Sequence, residues 1–193
     1  MSALAHPDRS AHDGGVPKVL LVAGSTIVLV ILLVWSSTAF GADSVWFAFL
    51  VVWLPMAWLG TVSRLVVPRL PERCHELHGF ERDGRVYELL GVRLVKRLLR
   101  RGPLAVFNPD LHLPAEKSSA NLSHLDQRMR DAEASHLILL VLTLGLVAVE
   151  AARGWWSSAL WIFVFNLLVN GYPVMLQRYN RAVLHQRFDR AGD

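Results

Sequence analysis

Val19 to Ala42 reads VLLVAGSTIVLVILLVWSSTAFGA, and no charged residue falls between Lys18 and Asp43. A bilayer core of about 30 Å is crossed by about 20 residues of helix, each rising about 1.5 Å. The stretch is long enough, and it predicts a transmembrane helix. Two more charge-free runs follow, from Asp43 to Arg64 and from Arg153 to Arg178. Another candidate, Ser135 to Ala152, is free of charge only from Ala134 to Val149. That is about 16 residues, a little short of a full span. Glu150 sits at its far end, where a carboxylate reaches the headgroups at modest cost. An odd number of spans would separate the basic middle segment from the basic tail. The sequence therefore predicts an all-α, polytopic membrane protein with four transmembrane helices in two hairpins.

Composition alone does not decide this, because the 53% hydrophobic content is close to that of ordinary soluble domains. The mean hydropathy of +0.34 and pI near 9.7 gain meaning from where the residues lie. Arginine and lysine cluster from Arg64 to Arg130, and Arg178, Arg181, Arg187 and Arg190 follow the last span. The turn at Gly41–Ser44 carries no basic residue and the turn at Arg153 carries one. The positive-inside rule then places the middle segment and both termini in the cytoplasm. Trp46 and the pair Trp155–Trp156 fall at the outer interface, where indole rings favour the headgroups. Because the positive charge follows the spans, no nucleic-acid partner is expected. Cys74 is the only cysteine, so no intrachain disulfide can form. Ala39 and Gly41 offer a cleavage context for a signal peptide. The first apolar run exceeds the 7–15 residues usual for such a segment, however, so a retained helix is expected.

These readings divide the chain into a disordered cytoplasmic tail (1–17), a first transmembrane hairpin (18–67) and a cytoplasmic or interfacial segment (68–122). A second hairpin with a projecting helix (123–181) and a cytoplasmic tail (182–193) complete it. Pro68 and Pro71 end the first hairpin. In the middle segment Tyr87, Leu90, Leu94, Val95 and Leu98 recur at helical spacing, with Glu88, Arg93, Lys96, Arg97 and Arg100 opposite. Such an amphipathic helix with a basic face is expected to lie in the headgroup plane. Gly102, Pro103, Pro109 and Pro114 mark an irregular connection. Ser123, three residues before Asp126, reads as a helix N-cap. A helix from Ser123 to Ala152 would be about 45 Å long, so its first turns project into the cytoplasm.

That projection puts Asp126, Arg130 and Glu133 on one stripe, with His136 three residues beyond Glu133. A carboxylate beside an imidazole fixes its tautomer and raises its basicity, as a general base requires. The same spacing also suits an interfacial ion pair that only secures the helix. The last span ends in Asn170-Gly171-Tyr172-Pro173, followed by Gln177-Arg178-Tyr179-Asn180-Arg181. Pro173 frees backbone groups that need partners. Two arginines at this level can hold phosphates bidentately, and equally can serve as interfacial anchors. His75 and His78 beside Cys74 lack a second ligand pair at a metal-binding spacing, so no metal is expected. No phosphate-binding glycine loop or nucleophile elbow is present.

The motif Ala132-Glu133-x-x-His136, with Asn170, Pro173 and the run Gln177-Arg178-Tyr179-Asn180-Arg181, resembles the glycosyl-4,4'-diaponeurosporenoate acyltransferase family of bacterial membrane enzymes. Glu81, Gly84, Tyr87 and Val92-Arg93-x-x-Lys96 extend the resemblance, which covers roughly Arg64 to Leu184. It implies a membrane O-acyltransferase that moves a fatty acyl chain to a sugar hydroxyl of a glycosylated carotenoid or related glycolipid. Acyl-CoA is the implied co-substrate, no cofactor is required, and the location is the bacterial inner membrane. On this reading His136 deprotonates the acceptor hydroxyl and Glu133 orients the imidazole. Arg178 and Arg181 hold donor phosphates or the oxyanion, and Gln177, Tyr179, Asn180, Asn170, Arg93 and Lys96 contact substrate. The alternative is a non-enzymatic membrane adaptor that binds anionic lipid or a partner protein, and such an adaptor would tolerate the loss of Glu133 and His136.

Overall fold

The computed structural model describes residues 15–63, 65, 68–101 and 119–189. Its helices are α1 (Gly15–Phe40), α2 (Val45–Val62), α3 (Arg85–Leu89), α4 (Val92–Arg101), α5 (Ser119–Ala152), α6 (Trp156–Asn166) and α7 (Tyr172–Asp189). Four runs are long and apolar enough to cross a bilayer: Pro17–Phe40, Val45–Val62, Ser123–Ala152 and Trp156–Gln186. Val19, Leu20, Ile27 and Val34 of α1 are each more than half exposed. A continuous apolar face of this kind is tolerated against lipid and unfavourable against water, at about 25 cal/mol per Å². The chain is an all-helical, multi-pass membrane protein.

The spans pack around α2, α5 and α6. Ala48 and Val52 of α2 meet Ile162 of α6, with Leu146 and Val147 of α5 closing the cluster. Small and β-branched residues here let the helices approach closely, which is the main source of attraction between helices in lipid. Ser44 starts α2 by accepting a hydrogen bond from the Phe47 N–H at 3.0 Å. α1 packs on α2, while α5 contacts α6 and α7.

Between α6 and α7 the chain makes a π-helical turn, Leu167–Gly171, closed by the Tyr172 N–H donating to the Leu167 carbonyl. Pro173 explains it. Proline has no N–H to give and its ring crowds the carbonyl four residues back, so the wider turn relieves both conflicts without ending the helix.

Two expectations need correction. α5 begins at Ser119, so Ser123 lies inside the helix and does not cap it. Ala120 and Leu122 favour helix, and no breaker separates them from Ser123. The middle segment does not form one continuous amphipathic helix, because Gly91 at φ 79° ends α3 and restarts the chain as α4. Tyr87 and Val92 turn inward against Leu176 and Tyr179 of α7, while Leu89 is 88% exposed and Leu94 is exposed. The terminal helix runs on through residues 182–189. Residues 1–14 of the expected disordered tail, the connection with Gly102, Pro103, Pro109 and Pro114, and residues 190–193 lie outside the described residues.

Candidate active site

Beyond the apolar spans, α5 and α7 continue side by side with complementary stripes. Asp126, Arg130 and Glu133 of α5 face Arg178, Arg181 and His185 of α7, residues spaced three, four or seven apart and so on one side of each helix. Glu133 is 0% exposed and lies at the centre. Its Oε1 accepts from Arg178 Nη1 at 2.7 Å and its Oε2 from Arg181 Nη1 at 2.9 Å. Two guanidinium groups on one buried carboxylate provide the pairing that burial of charge demands.

Arg178 uses every nitrogen on the protein itself. Nε donates to Glu81 Oε1 at 3.0 Å and to the Tyr87 hydroxyl at 3.2 Å. Nη1 also reaches the Cys74 carbonyl at 3.0 Å, and Nη2 reaches the Glu76 carbonyl and Glu81 Oε2, each at 2.8 Å. The guanidinium therefore ties the 74–87 segment to α5 through α7. Glu81 takes a further short hydrogen bond from Tyr87 and one of 2.7 Å from the His78 N–H. Burial works against the Glu81 charge, but the bonds from Arg178, Tyr87 and His78 outweigh it and hold the carboxyl down to about 2. Burial and the neighbouring Glu81 push the Tyr87 hydroxyl up to about 12. Gly84 permits the close fit: its φ is 72°, and a Cβ there would lie 3.2 Å from the Tyr179 ring.

Arg181 is bound differently. Nε donates to Asp126 Oδ1 at 3.0 Å, and Nη1 also donates to the His75 carbonyl at 2.8 Å. Asp126 is shared with Arg130 at 2.6 Å. Arg181, Arg130, His75, His185, Arg82 and Gln186 help to line a cleft of about 540 Å³.

The expected Glu133–His136 pair is not formed. The carboxylate is taken by the two arginines, and His136 Nδ1 instead lies 3.3 Å from Asn170 Oδ1. Asn170 Nδ2 donates to Asn166 Oδ1 at 2.8 Å, and Asn166 Nδ2 donates to the Leu140 carbonyl at 3.0 Å. A carbonyl only accepts, so it fixes the direction of the whole relay. Asn166 presents oxygen to Asn170, Asn170 presents oxygen to His136, and His136 carries its proton on Nδ1. Nε2 is left with its lone pair.

The remaining expected residues form a separate face. Tyr179 Oη donates to Glu88 at 3.1 Å and accepts from Arg93 Nε at 3.5 Å. Arg93 pairs with Glu88 at 2.5 Å. Lys96 donates to Asn180 Oδ1 at 2.6 Å and lies 5.3 Å above the Tyr179 ring. Gln177 is half-buried, and its side chain makes no hydrogen bond among the described residues. The structure thus unites Glu133, Arg178 and Arg181, sets His136 with Asn170, and brings Arg93 and Lys96 of α4 against Tyr179 and Asn180 on another face of α7. Sequence reasoning weighed His75 only as a metal ligand, and it missed Asn166. The four-residue spacing of Asn166 and Asn170 in an apolar span was the available signal for the latter. Among the described residues, no group of three or more His, Cys, Asp or Glu side chains is arranged to hold a metal ion.

No curated protein and no solved structure matches the chain. The family described as glycosyl-4,4'-diaponeurosporenoate acyltransferase matches residues 71–190, from the turn that supplies Cys74, His75 and Glu81 to the end of α7. That match takes in the whole ion-pair network and covers more than half of the 193 residues, so the chain belongs to the glycosyl-4,4'-diaponeurosporenoate acyltransferase family.

Proposed function

We propose that the protein transfers a fatty acyl group from acyl-CoA to a sugar hydroxyl of a glycosylated carotenoid or related glycolipid, at the cytoplasmic surface of a bacterial inner membrane. Family membership gives the acyltransferase activity. The observation that carries the rest is the position of the polar layer. Glu133, Arg178 and Arg181 lie where α5 and α7 pass from apolar to charged sequence. A lipid acceptor presents its sugar at that depth, and a soluble donor reaches it from the aqueous side.

In this reading two helical hairpins hold the site, both termini are cytoplasmic, and the segment from Pro68 to α4 lies along the headgroups. The exposed side chains of Leu89, Leu90 and Leu94 would then meet lipid. His136, with Nε2 free, receives an acceptor hydroxyl. Arg93, Lys96, Tyr179, Asn180 and Gln177 contact the donor or the sugar. Arg178 is saturated by protein groups, so its part is to hold the 74–87 segment in place. Arg181 keeps capacity for a substrate oxygen.

Lipid extracts from cells with and without the protein test this reading by mass spectrometry. A glycolipid pair differing by one fatty acyl group is the expected result. Identical extracts in cells that make the glycosylated acceptor would refute it.

A further inference from the structure

We propose that His75 is the general base of the transfer, an assignment that rests on the acyl-transfer reading above. His75 follows the short 3₁₀ turn Glu72–Cys74, and its carbonyl is held by Arg181 at 2.8 Å. The residue is 6% exposed, yet it lines the cleft. Nδ1 faces Glu133 Oε2 at 3.5 Å. This distance is within ion-pair range but long for a hydrogen bond, and Nδ1 is a buried nitrogen without a partner. Such a nitrogen is unfavourable as it stands, and a movement of a few tenths of an ångström toward Glu133 would satisfy it. Catalytic hydrogen bonds are often long before substrate binds and tighten in the complex. With Nδ1–H directed at the carboxylate, the Nε2 lone pair remains as the ring's acceptor.

Arg181 completes the constellation. It is 2% exposed and lines the same cleft. Nε and Nη1 are engaged by Asp126, His75 and Glu133, whereas Nη2 makes no hydrogen bond among the described residues. An imidazole backed by a carboxylate, beside an unfilled cationic donor, is the set that acyl transfer uses: base, orienting group and oxyanion donor. His136 has an amide in place of the carboxylate and is not among the residues that line this cleft.

The step balances without an oxidant or further reactant. His75 Nε2 takes the proton of the sugar hydroxyl as its oxygen bonds to the carbonyl carbon of an acyl thioester. The carbonyl electron pair moves onto oxygen, beside Arg181 Nη2. That pair then returns, the C–S bond breaks, and the departing thiolate takes the proton from His75. An ester and a thiol result.

The test uses the full chain in membranes, with palmitoyl-CoA and glycosyl-4,4'-diaponeurosporenoate as probes. His75→Gln is expected to lower kcat by about 10²–10⁴-fold with little change in KM, while His136→Gln acts mainly on the acceptor KM. His75→Ala is expected to regain activity when imidazole is added to the buffer, a response that a purely structural role would not give. An active wild type whose His75→Gln variant keeps more than about a tenth of kcat overturns the assignment alone. So does a folded His75→Ala protein that imidazole fails to rescue. A wild type that forms no acyl ester with these probes overturns the functional reading and the assignment together.

Discussion

Replacing Glu133 with glutamine keeps the shape of the side chain and removes the charge at the centre of the polar layer. The carboxylate is fully buried and accepts at 2.7 Å from Arg178 and at 2.9 Å from Arg181. In glutamine one oxygen becomes an NH₂ group, so one guanidinium would face a donor where it had an acceptor. Removing one member of a buried ion pair costs about 3–5 kcal/mol. Glu81 still holds Arg178 and Asp126 still holds Arg181, which favours the lower end of that range, about 3 kcal/mol. For a chain of this size each kcal/mol moves Tm by about 2–4 °C, so a fall of roughly 6–12 °C is expected. Tryptophan fluorescence during heating in detergent measures it, with both proteins scanned at one rate because membrane proteins often unfold irreversibly. The double variant Glu133→Gln/Arg178→Gln should cost less than the sum of the single variants, because the residues share one bond network. A Glu133→Gln protein melting within about 2 °C of wild type would show that the layer does not depend on its central charge.

Other outcomes follow from the same geometry. Arg178→Lys keeps the charge but loses the fork that reaches two carbonyls and two carboxylates. Hydrogen exchange should rise about tenfold or more across residues 72–84 and stay unchanged in α2 and α6. Glu81 is held down to about 2 from its ordinary 4.5, so its contribution to stability is complete above about pH 4.5 and lost as pH falls toward 2. Proteolysis of the 72–84 segment, followed from pH 5 to pH 2.5, should therefore increase as the pH falls. Asn170→Ala removes the acceptor that fixes the His136 tautomer. The acceptor KM should rise about 2–10-fold, the equivalent of one hydrogen bond, with kcat little altered.

The spans were legible because a bilayer imposes one strict rule, about 20 uncharged residues in helix, and the runs beginning at Val19 and Val45 obey it plainly. The ends of helices were harder to read. Ser123 carries every local sign of a cap, yet helix-favouring residues before it let α5 start at Ser119. The apolar stripe from Tyr87 to Leu98 concealed a break, because Gly91 at φ 79° counts as a single neutral residue in any periodicity. In the site, Glu133, Arg178 and Arg181 were each identified, while their pairing was not. Spacing along α5 placed Glu133 near His136, but the arginines come from a helix about 45 residues away in sequence and bind the carboxylate more strongly. His75 drew notice only as a possible metal ligand beside Cys74 and His78, and nothing in its spacing pointed to Glu133. Its significance arises from the fold, which brings a turn more than 50 residues upstream against Glu133 and Arg181.

The wide turn at Leu167–Gly171 holds more residues than a regular α-turn would. Each residue of helix rotates the chain by about 100°, so this surplus sets the angular phase of everything on α7 relative to α6. Asn166, just before the turn, and Asn170, within it, look into the bundle, and Arg178 and Arg181, beyond it, look toward Glu133. Deleting one residue from 167–171 would regularise the helix and swing both arginines out of line, leaving Glu133 buried against the wrong side chains. Length in this short stretch is therefore held as tightly as identity, and an insertion or deletion there would be more damaging than most substitutions.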